Sequence, residues 1–217
     1  MEFSFSPDQQ TWHDRAVRFA EQSLSNEVAH RDAHQAFDAD GWQALAEFGI
    51  CAMPIPKSHG GMGLPLSVVA ATFEGLAYAS RDLGLLYAVN THLWAVAMPI
   101  AVYGTDDLRR RYLADLCCGK LIGASGISER DAGSDVFALQ TRFERRDTGY
   151  ALFGRKTFVS NAKCCDLMLV YATEDPALGA LGLTAFVVDR NALGVSIERD
   201  VSLMGLRTAP MGEVLLD

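Results

Sequence analysis

Basic residues are too few in this sequence to favour a nucleic-acid-binding protein. Among 217 residues, 19 Lys and Arg stand against 27 Asp and Glu, which gives a net charge of −8. A protein that binds the phosphate backbone needs a surplus of Lys and Arg, so this composition argues against a nucleic-acid partner. The one basic run, residues 109–111, has acidic neighbours in a helical pattern, which is typical of a solvated helix face.

Long apolar runs and a signal-peptide pattern are also missing. The first residues lack the basic and apolar regions of a signal peptide. The longest apolar run, residues 93–103, is shorter than the ~20 residues that span a bilayer, and Pro99 interrupts it. We therefore expect a soluble, cytoplasmic protein that does not contact a membrane.

Cysteine is present in a pattern that fits neither a disulfide framework nor a C-x-x-C zinc site. The count is odd and includes two adjacent pairs: Cys51, Cys117, Cys118, Cys164 and Cys165. We expect reduced, mostly buried thiols and no metal site. His92, within an apolar helical pattern, is interpreted as a packed or hydrogen-bonded side chain and not as a catalytic one.

The first half of the chain has the hydrophobic pattern of helices. Residues 6–9 read Ser-Pro-Asp-Gln, a capping box with proline at the first helical position, so a helix is predicted to begin there. A second helix is predicted to begin near Asp38 or Asp40 and to end at Gly49. Prolines and glycines at residues 54–65 predict a loop. Further helices are predicted at residues 65–80, 82–103 and 105–119.

After Lys120 the pattern changes to short, strand-like runs separated by turn residues. The predicted strands are residues 121–127, 150–159, 167–172, 183–188 and 195–198. Helices first and strands afterwards predict an α+β fold. We expect an all-helical domain at residues 1–118, followed by a mainly antiparallel β domain at residues 119–217.

Two segments of the second half concentrate hydroxyls and glycines. Ser128 ends a predicted strand and precedes a Gly133-Ser134 turn, while Phe158 and Ser160 lie one strand later. An isoalloxazine ring needs donors at its N1–C2 edge and near N5, and a pyrophosphate needs amides and hydroxyls on a closely approaching loop. These residue types supply both. From spacing alone, an ordinary hairpin with a Ser–Gly turn is the alternative interpretation.

Four motifs in the right order resemble the acyl-CoA dehydrogenase family over nearly the whole chain. Residues 128–135 read Ser-Glu-Arg-Asp-Ala-Gly-Ser-Asp, similar to the family's Thr-Glu-Pro-x-Ala-Gly-Ser-Asp. Residues 154–161 read Gly-Arg-Lys-Thr-Phe-Val-Ser-Asn, similar to its Gly-x-Lys-x-Trp-Ile-Thr-Asn. Residues 204–208 and 56–63 resemble its Gly-x-Arg-x-Ser element and its Pro-x-x-Tyr-Gly-Gly-x-Gly loop. The resemblance implies that the β domain is a barrel- or sandwich-like middle domain.

The resemblance also implies a flavoprotein that binds FAD. Ser128 would bond the pyrimidine edge of the flavin and Ser160 its N5 region, while Phe158 would flank the ring. Ser134 would bond the pyrophosphate and lie near bound substrate. The implied cofactor-binding residues are Ser125, Gly126, Ile127, Ser128, Gly133, Ser134, Phe158, Val159 and Ser160.

The family's reaction is an oxidoreductase step, the α,β-desaturation of an acyl thioester. A carboxylate takes the α-proton while the β-hydride passes to the flavin. The implied partners are an acyl-CoA or acyl-carrier-protein thioester and an electron acceptor such as electron-transfer flavoprotein. Two alternatives are an oxygen-using flavin oxidase or monooxygenase of the same fold, and a non-catalytic half-site subunit that needs a partner chain.

Two departures from the family pattern affect the expected activity. Arg130 and Asp131 replace the usual proline and glycine, which changes the charge of the loop. The family's catalytic base and part of its FAD and acyl-CoA sites lie in a C-terminal helical domain, which these residues do not include. We assign no catalytic base, not even Glu129. The chain alone is predicted to be inactive, and to form a homo-oligomer or to be completed by a partner polypeptide.

Overall fold

The structure, a computed structural model, describes residues 4–24 and 26–217. The chain divides into two compact units. The helical unit extends to Leu121 and also includes Met204–Ala209, and the β unit comprises Ile122–Leu203 and Pro210–Asp217. The sequence predicts a single division, after residue 118. It does not predict that Met204–Ala209, which lies between strands in sequence, packs within the helical unit.

Within residues 4–24 and 26–121, the helical unit has seven α-helices, one of them continued through a π-helical stretch. The capping box at the first helix is confirmed, because Ser6 N–H donates to Gln9 Oε1 at 2.7 Å and Gln9 N–H donates to Ser6 Oγ at 3.3 Å. The short second helix is missing from the sequence prediction, and its N-terminus has no side-chain cap to signal it. The bounds are α1 Pro7–Ser23, α2 Val28–His34, α3 Ala39–Phe48, α4 Leu66–Ala79, α5 Leu83–His92, the π-helix Leu93–Ala97, α6 Met98–Tyr103 and α7 Asp106–Cys117.

Helix α5, the π-helix and α6 form one continuous stretch, Leu83–Tyr103. It has 21 residues and, within the described part of the chain, it alone is long and apolar enough to cross a membrane by length and composition. The helix predicted at residues 82–103 is confirmed, and Pro99 lies in the first turn of α6 without ending it. The sequence argument about membranes considers only the apolar run 93–103, which is shorter than this apolar helix. Slightly more than half of its most apolar window, 56%, is buried within the structure, as expected of the core helix of a folded domain.

A buried charge network ties the segment Met204–Ala209 to the helical unit. Arg31 of α2 lies between two carboxylates, with Nη2 3.0 Å from Asp38 Oδ2 and 3.3 Å from Asp82 Oδ2. Asp82 also accepts a hydrogen bond from the hydroxyl of Thr208. Gly84 allows this close approach, because a Cβ atom there would lie 2.1 Å from Thr208 Oγ1. The segment therefore packs with helices although strands surround it in sequence.

The β unit contains a seven-stranded sheet. The strands are β1 Gly123–Gly126, β2 Arg142–Arg146, β3 Gly149–Ser160, β4 Leu167–Thr173, β5 Leu183–Asp189, β6 Val195–Asp200 and β7 Met211–Leu216. They lie in the order β1-β4-β2-β3-β7-β6, with β5 paired to β4 and β1 also paired to β3. The pairs β1–β4 and β2–β4 are parallel and the other five are antiparallel, so the prediction of a mainly antiparallel domain is confirmed.

The β unit has a small apolar core. Ala124, Val159, Met168, Val170 and Val214 are almost fully buried in one cluster. The sequence prediction omits β2, because four of its five residues are exposed and three are arginines, so no apolar alternation marks it. The pairing of Ser125 with Ser160 places the end of β1 beside the end of β3, where the candidate site lies.

Candidate functional site

The two segments that the sequence singles out lie side by side in the β unit. Ser125 of β1 is the register partner of Ser160 of β3 in an antiparallel pair. Beyond the end of β1, the carbonyl of Ser128 accepts a hydrogen bond from the amide of Thr157 at 2.8 Å. Residues 125–128 and 157–160 therefore form one continuous surface.

Phe158 lies at an irregularity of β3 that turns its side chain outwards. The register between β3 and β7 shifts between Lys156 and Val159, so a β-bulge includes Phe158. Its φ is +53°, in the left-handed region that bulky residues rarely adopt. The ring is 61% exposed, whereas Val159 is fully buried. Such strain persists where the surrounding structure imposes it, and it is common at functional sites.

A loop with glycine and serine follows β1, and we call residues 129–141 the site loop. It begins with a tight turn, in which the amide of Glu129 donates to the carbonyl of Ala132 at 2.9 Å and the amide of Ala132 donates back at 3.3 Å. Gly133 and Ser134 come next and are exposed. A Cβ atom at Gly133 would meet nothing within 4 Å, so the backbone there is open to a ligand.

The predicted hydroxyls differ in accessibility. Ser134 is exposed, Ser125 and Ser128 are half-buried, and Ser160 is buried with 7% of its surface exposed. The end of β3 is fixed by Asn161, whose side-chain amide donates to the carbonyl of Gly123 at 3.0 Å. Gly126 and Ile127 lie between the serines of the β1 segment.

A buried ion pair beneath the site is the feature that the sequence interpretation misses. Lys156 has a fully buried side chain, and its Nζ lies 2.7 Å from Glu129 Oε1. Nζ also donates to the carbonyl of Ile127 at 3.2 Å. Both residues lie in motifs that the sequence analysis quotes, Glu129 in residues 128–135 and Lys156 in residues 154–161. Nothing in the sequence shows that their side chains form an ion pair.

Glu129 also receives two backbone hydrogen bonds from the far end of the site loop. Gln140 N–H donates to Oε2 at 2.6 Å and Thr141 N–H donates to Oε1 at 2.9 Å. Burial by itself raises the pKa of Glu129, but the hydrogen bonds from Lys156 and from this end of the loop outweigh it and hold the pKa below its ordinary value. The carboxylate is therefore ionised and fully engaged.

The other titratable candidates have structural surroundings. His92 is fully buried, its Nε2 lies 3.0 Å from the carbonyl of Leu116, and its ring packs edge-on against Trp42, which confirms the interpretation as a packed, hydrogen-bonded side chain. Burial lowers the pKa of His92 to about 4.

The cysteine beside the site is also structural. Burial raises the pKa of Cys164 to about 12, so its thiol is not activated. Across residues 4–24 and 26–217, no group of three His, Cys, Asp or Glu side chains is arranged to hold a metal ion.

Sequence comparison agrees with this arrangement over both units. The profile described as the acyl-CoA dehydrogenase N-terminal domain matches residues 6–120. The profile described as the acyl-CoA dehydrogenase middle domain matches residues 124–217. The chain belongs to the acyl-CoA dehydrogenase family. The candidate site lies wholly within its middle domain.

Individual relatives in the family are similar over the whole chain. An L-prolyl-[peptidyl-carrier protein] dehydrogenase of Serratia sp. is 31% identical over 217 residues, which are 100% of this chain and 56% of that protein. The crystal structure of the prolyl acyl carrier protein oxidase AnaB has a TM-score of 0.94 and 36% identity, covering 99% of this chain and 57% of that one. A structure of PigA with FAD and proline has a TM-score of 0.94 and 31% identity, with coverage of 100% and 57%. The chain thus spans slightly more than half the length of these relatives.

Proposed function

We propose that this chain is the flavin-binding part of an FAD-dependent oxidoreductase that oxidises the Cα–Cβ bond of an acyl thioester. The relatives support the class of reaction, since one is named as an L-prolyl-[peptidyl-carrier protein] dehydrogenase and another as a prolyl acyl carrier protein oxidase. A carrier-protein thioester is therefore the first substrate to test, with the coenzyme A thioester beside it. We propose a cytoplasmic location and an oligomeric or partner-completed enzyme.

The observation that carries the proposal is the surface made by residues 125–128 and 157–160. It brings the half-buried Ser125 and the buried Ser160 together from two paired strands, beside an exposed aromatic ring held at positive φ. The open backbone at Gly133 and the exposed Ser134 lie on the loop that leaves this surface. Hydroxyls, an aromatic edge and an unobstructed glycine loop are the chemistry that an isoalloxazine ring with a pyrophosphate requires, so these residues fit FAD.

The residues of this chain would bind and orient the cofactor. Ser128 and Ser160 would donate hydrogen bonds to the pyrimidine edge and the N5 region, and Phe158 would limit access of water to the ring. Ser134 would bond the pyrophosphate near the substrate. FAD, when bound, accepts the hydride that leaves the β-carbon.

Glu129 is unsuited to the role of general base. A base must be free to reach the α-proton, whereas this carboxylate is held by Lys156 and two amides. Because the base of the family lies in a C-terminal helical domain, we propose that the base comes from outside these 217 residues. An assay of the chain alone with FAD, an artificial acceptor and both thioester types is expected to show no useful turnover, and robust turnover would contradict this part of the proposal.

An oxygen-using oxidase is the second candidate, because the AnaB relative is named as an oxidase. The choice depends on whether oxygen reaches the reduced flavin. Anaerobic reduction of the completed enzyme by substrate, followed by exposure to air, separates the two. Rapid reoxidation by air favours the oxidase, and a persistent reduced spectrum favours a dehydrogenase that needs another acceptor, such as electron-transfer flavoprotein.

The binding proposal is tested by titrating the purified chain with FAD and following flavin fluorescence and the visible spectrum. Ser128→Ala and Ser160→Ala each remove a hydrogen-bond donor, so we expect each to weaken binding by about 1 kcal/mol or more. Ser196→Ala, on β6, is the control and should bind FAD like the wild type. If wild type binds FAD but both serine variants leave its affinity and spectrum unchanged, the site assignment is wrong.

A further inference from the structure

Lys156 is a buried cation that occupies the inner side of the candidate site. A buried ammonium group is costly unless it is paired and hydrogen-bonded. Lys156 meets this requirement through Glu129 and the carbonyl of Ile127. Its aliphatic stem lies against Gly126, where a Cβ atom would be 3.4 Å from Lys156 Cγ. One side chain of β3 therefore contacts three positions at and beyond the end of β1.

Glu129 carries this connection to both ends of the site loop. Its backbone closes the turn with Ala132 at the beginning of the loop. Its two carboxylate oxygens accept the amides of Gln140 and Thr141 at the end of the loop. The chain between these ends includes Gly133 and Ser134. One residue thus fixes both ends of the exposed part of the loop, through its backbone at the beginning and its carboxylate at the end.

We propose that Lys156 and Glu129 are a positioning pair that holds the site loop in the conformation that binds the dinucleotide. This inference rests on the proposed function, because it assigns the flavin-binding shape of the loop to a pair that does not itself contact the ligand. Lys156 fixes the carboxylate of Glu129. The carboxylate fixes the backbone after Gly133 and Ser134, and the backbone of Glu129 closes the turn before them. The pair acts on affinity through the shape of the loop.

A purely structural role predicts a different outcome from a positioning role. Replacement of a buried ion pair by apolar side chains of similar size is often neutral for stability, whereas removal of one partner leaves an uncompensated charge. Lys156→Met alone is therefore expected to destabilise the fold. The double variant Lys156→Met/Glu129→Leu is expected to recover much of the stability. The double variant still lacks the acceptor for the amides of Gln140 and Thr141, so the site loop stays released.

The experiment combines hydrogen–deuterium exchange with FAD titration on the full chain. We compare the wild type, Lys156→Met and the double variant, with Lys163→Met as the matched control. Lys163 pairs with Asp200 on the surface of the same unit, and exposed pairs contribute little. We expect peptides from residues 129–141 to exchange faster in both Lys156 variants, and the Kd for FAD to rise about 10-fold or more in both. The control should match the wild type in both measurements.

The outcomes separate the inference from the proposed function. Unchanged FAD affinity in the double variant overturns the positioning role, whatever its thermal stability. Failure of both Lys156 variants to fold also overturns it, because the pair would then support the whole unit. A wild-type chain that binds no FAD contradicts the proposed function and, with it, the ligand part of this inference. In that case unchanged exchange of residues 129–141 overturns the remaining claim that the pair fixes the loop, and faster exchange supports it.

Discussion

Arg31 in the helical unit and Lys156 in the β unit are both largely buried cations, but they hold different kinds of structure. Arg31 joins two aspartates, Asp38 and Asp82, that cap the N-termini of helices. Lys156 joins one glutamate whose other hydrogen bonds go to the backbone of a loop. A charge buried among helix ends supports the framework, whereas a charge buried beneath a loop determines the shape of that loop.

The difference is also visible in what each network leaves exposed. The partners of Arg31 are themselves buried, and the segment that they capture, Met204–Ala209, contributes the buried Thr208. The site loop held by Glu129 instead exposes Gly133 and Ser134 to solvent. We therefore expect disruption of the first network to reduce stability alone. Disruption of the second should reduce ligand affinity, even in the double variant that recovers much of the stability.

The largest expected effect is on the helical framework. Asp82→Ala removes the cap of α5, one partner of Arg31 and the acceptor of the Thr208 hydroxyl. Loss of one partner of a buried charged network costs about 3–5 kcal/mol. The free energy of unfolding measured by urea denaturation should therefore decrease by that order. Asp106→Ala is the control, because Asp106 is 81% exposed in its pair with Arg109. If the free energy of unfolding decreases no more for Asp82→Ala than for this control, the network around Arg31 does not support the helical framework.

The next effect is a dependence of the helical unit on pH. The pKa of His92 is about 4 in the folded chain, against an ordinary 6.5. Below pH 6.5 His92 is protonated in the unfolded chain, whereas in the folded chain it is protonated only below about pH 4. Stability therefore falls as pH falls through this window. The shift corresponds to about 3 kcal/mol between pH 7 and pH 4.

The measurement for His92 is the free energy of unfolding at several pH values between 7 and 4. His92→Gln cannot titrate and should show a shallower decline than the wild type. The control His30→Gln, on an exposed face of α2, should keep the wild-type slope. Equal slopes for wild type and His92→Gln would show that His92 does not contribute to the pH dependence of stability. Glu129, whose pKa is lowered in the folded chain, reduces stability only at a lower pH, where its carboxylate becomes protonated.

The smallest effect on stability is expected at the bulge of β3. Phe158→Gly removes an exposed ring but also relieves the strain of positive φ, so the free energy of unfolding should change by less than about 1 kcal/mol. The Kd for FAD should nevertheless rise several-fold, because the ring is proposed to flank the flavin. Tyr150→Ala, an exposed aromatic of the same strand, should leave the affinity unchanged. If Phe158→Gly strongly destabilises the fold but leaves the affinity for FAD unaltered, Phe158 supports the fold and does not flank the flavin.

Local signals in the sequence predict the fold well where a single residue decides the conformation. Ser6 and Gln9 mark the start of α1, and Gly49, with a φ of +95°, ends α3. Strands β3, β4 and β5 follow from apolar runs between turn residues. By contrast, β2 is mostly charged, and the position of Met204–Ala209 depends on Asp82, which is far away in sequence.

The same limit applies to the candidate site. The motifs identify Ser128, Ser134 and Ser160 because the residue types suit a flavin, and the family resemblance orders them. The ion pair of Lys156 and Glu129 is invisible at this level, because the two residues are 27 positions apart and each looks like a surface charge. The left-handed φ of Phe158 is hidden as well, since it results from the register shift between β3 and β7.

The central claim is that the β unit binds the flavin through residues 125–134 and 157–160. The most direct test is hydrogen–deuterium exchange of the wild-type chain with and without saturating FAD. We predict slower exchange in peptides that cover these two segments, and unchanged exchange in α1 and α3 of the helical unit. Protection confined to the helical unit, with none in residues 125–134 or 157–160, would contradict the claim.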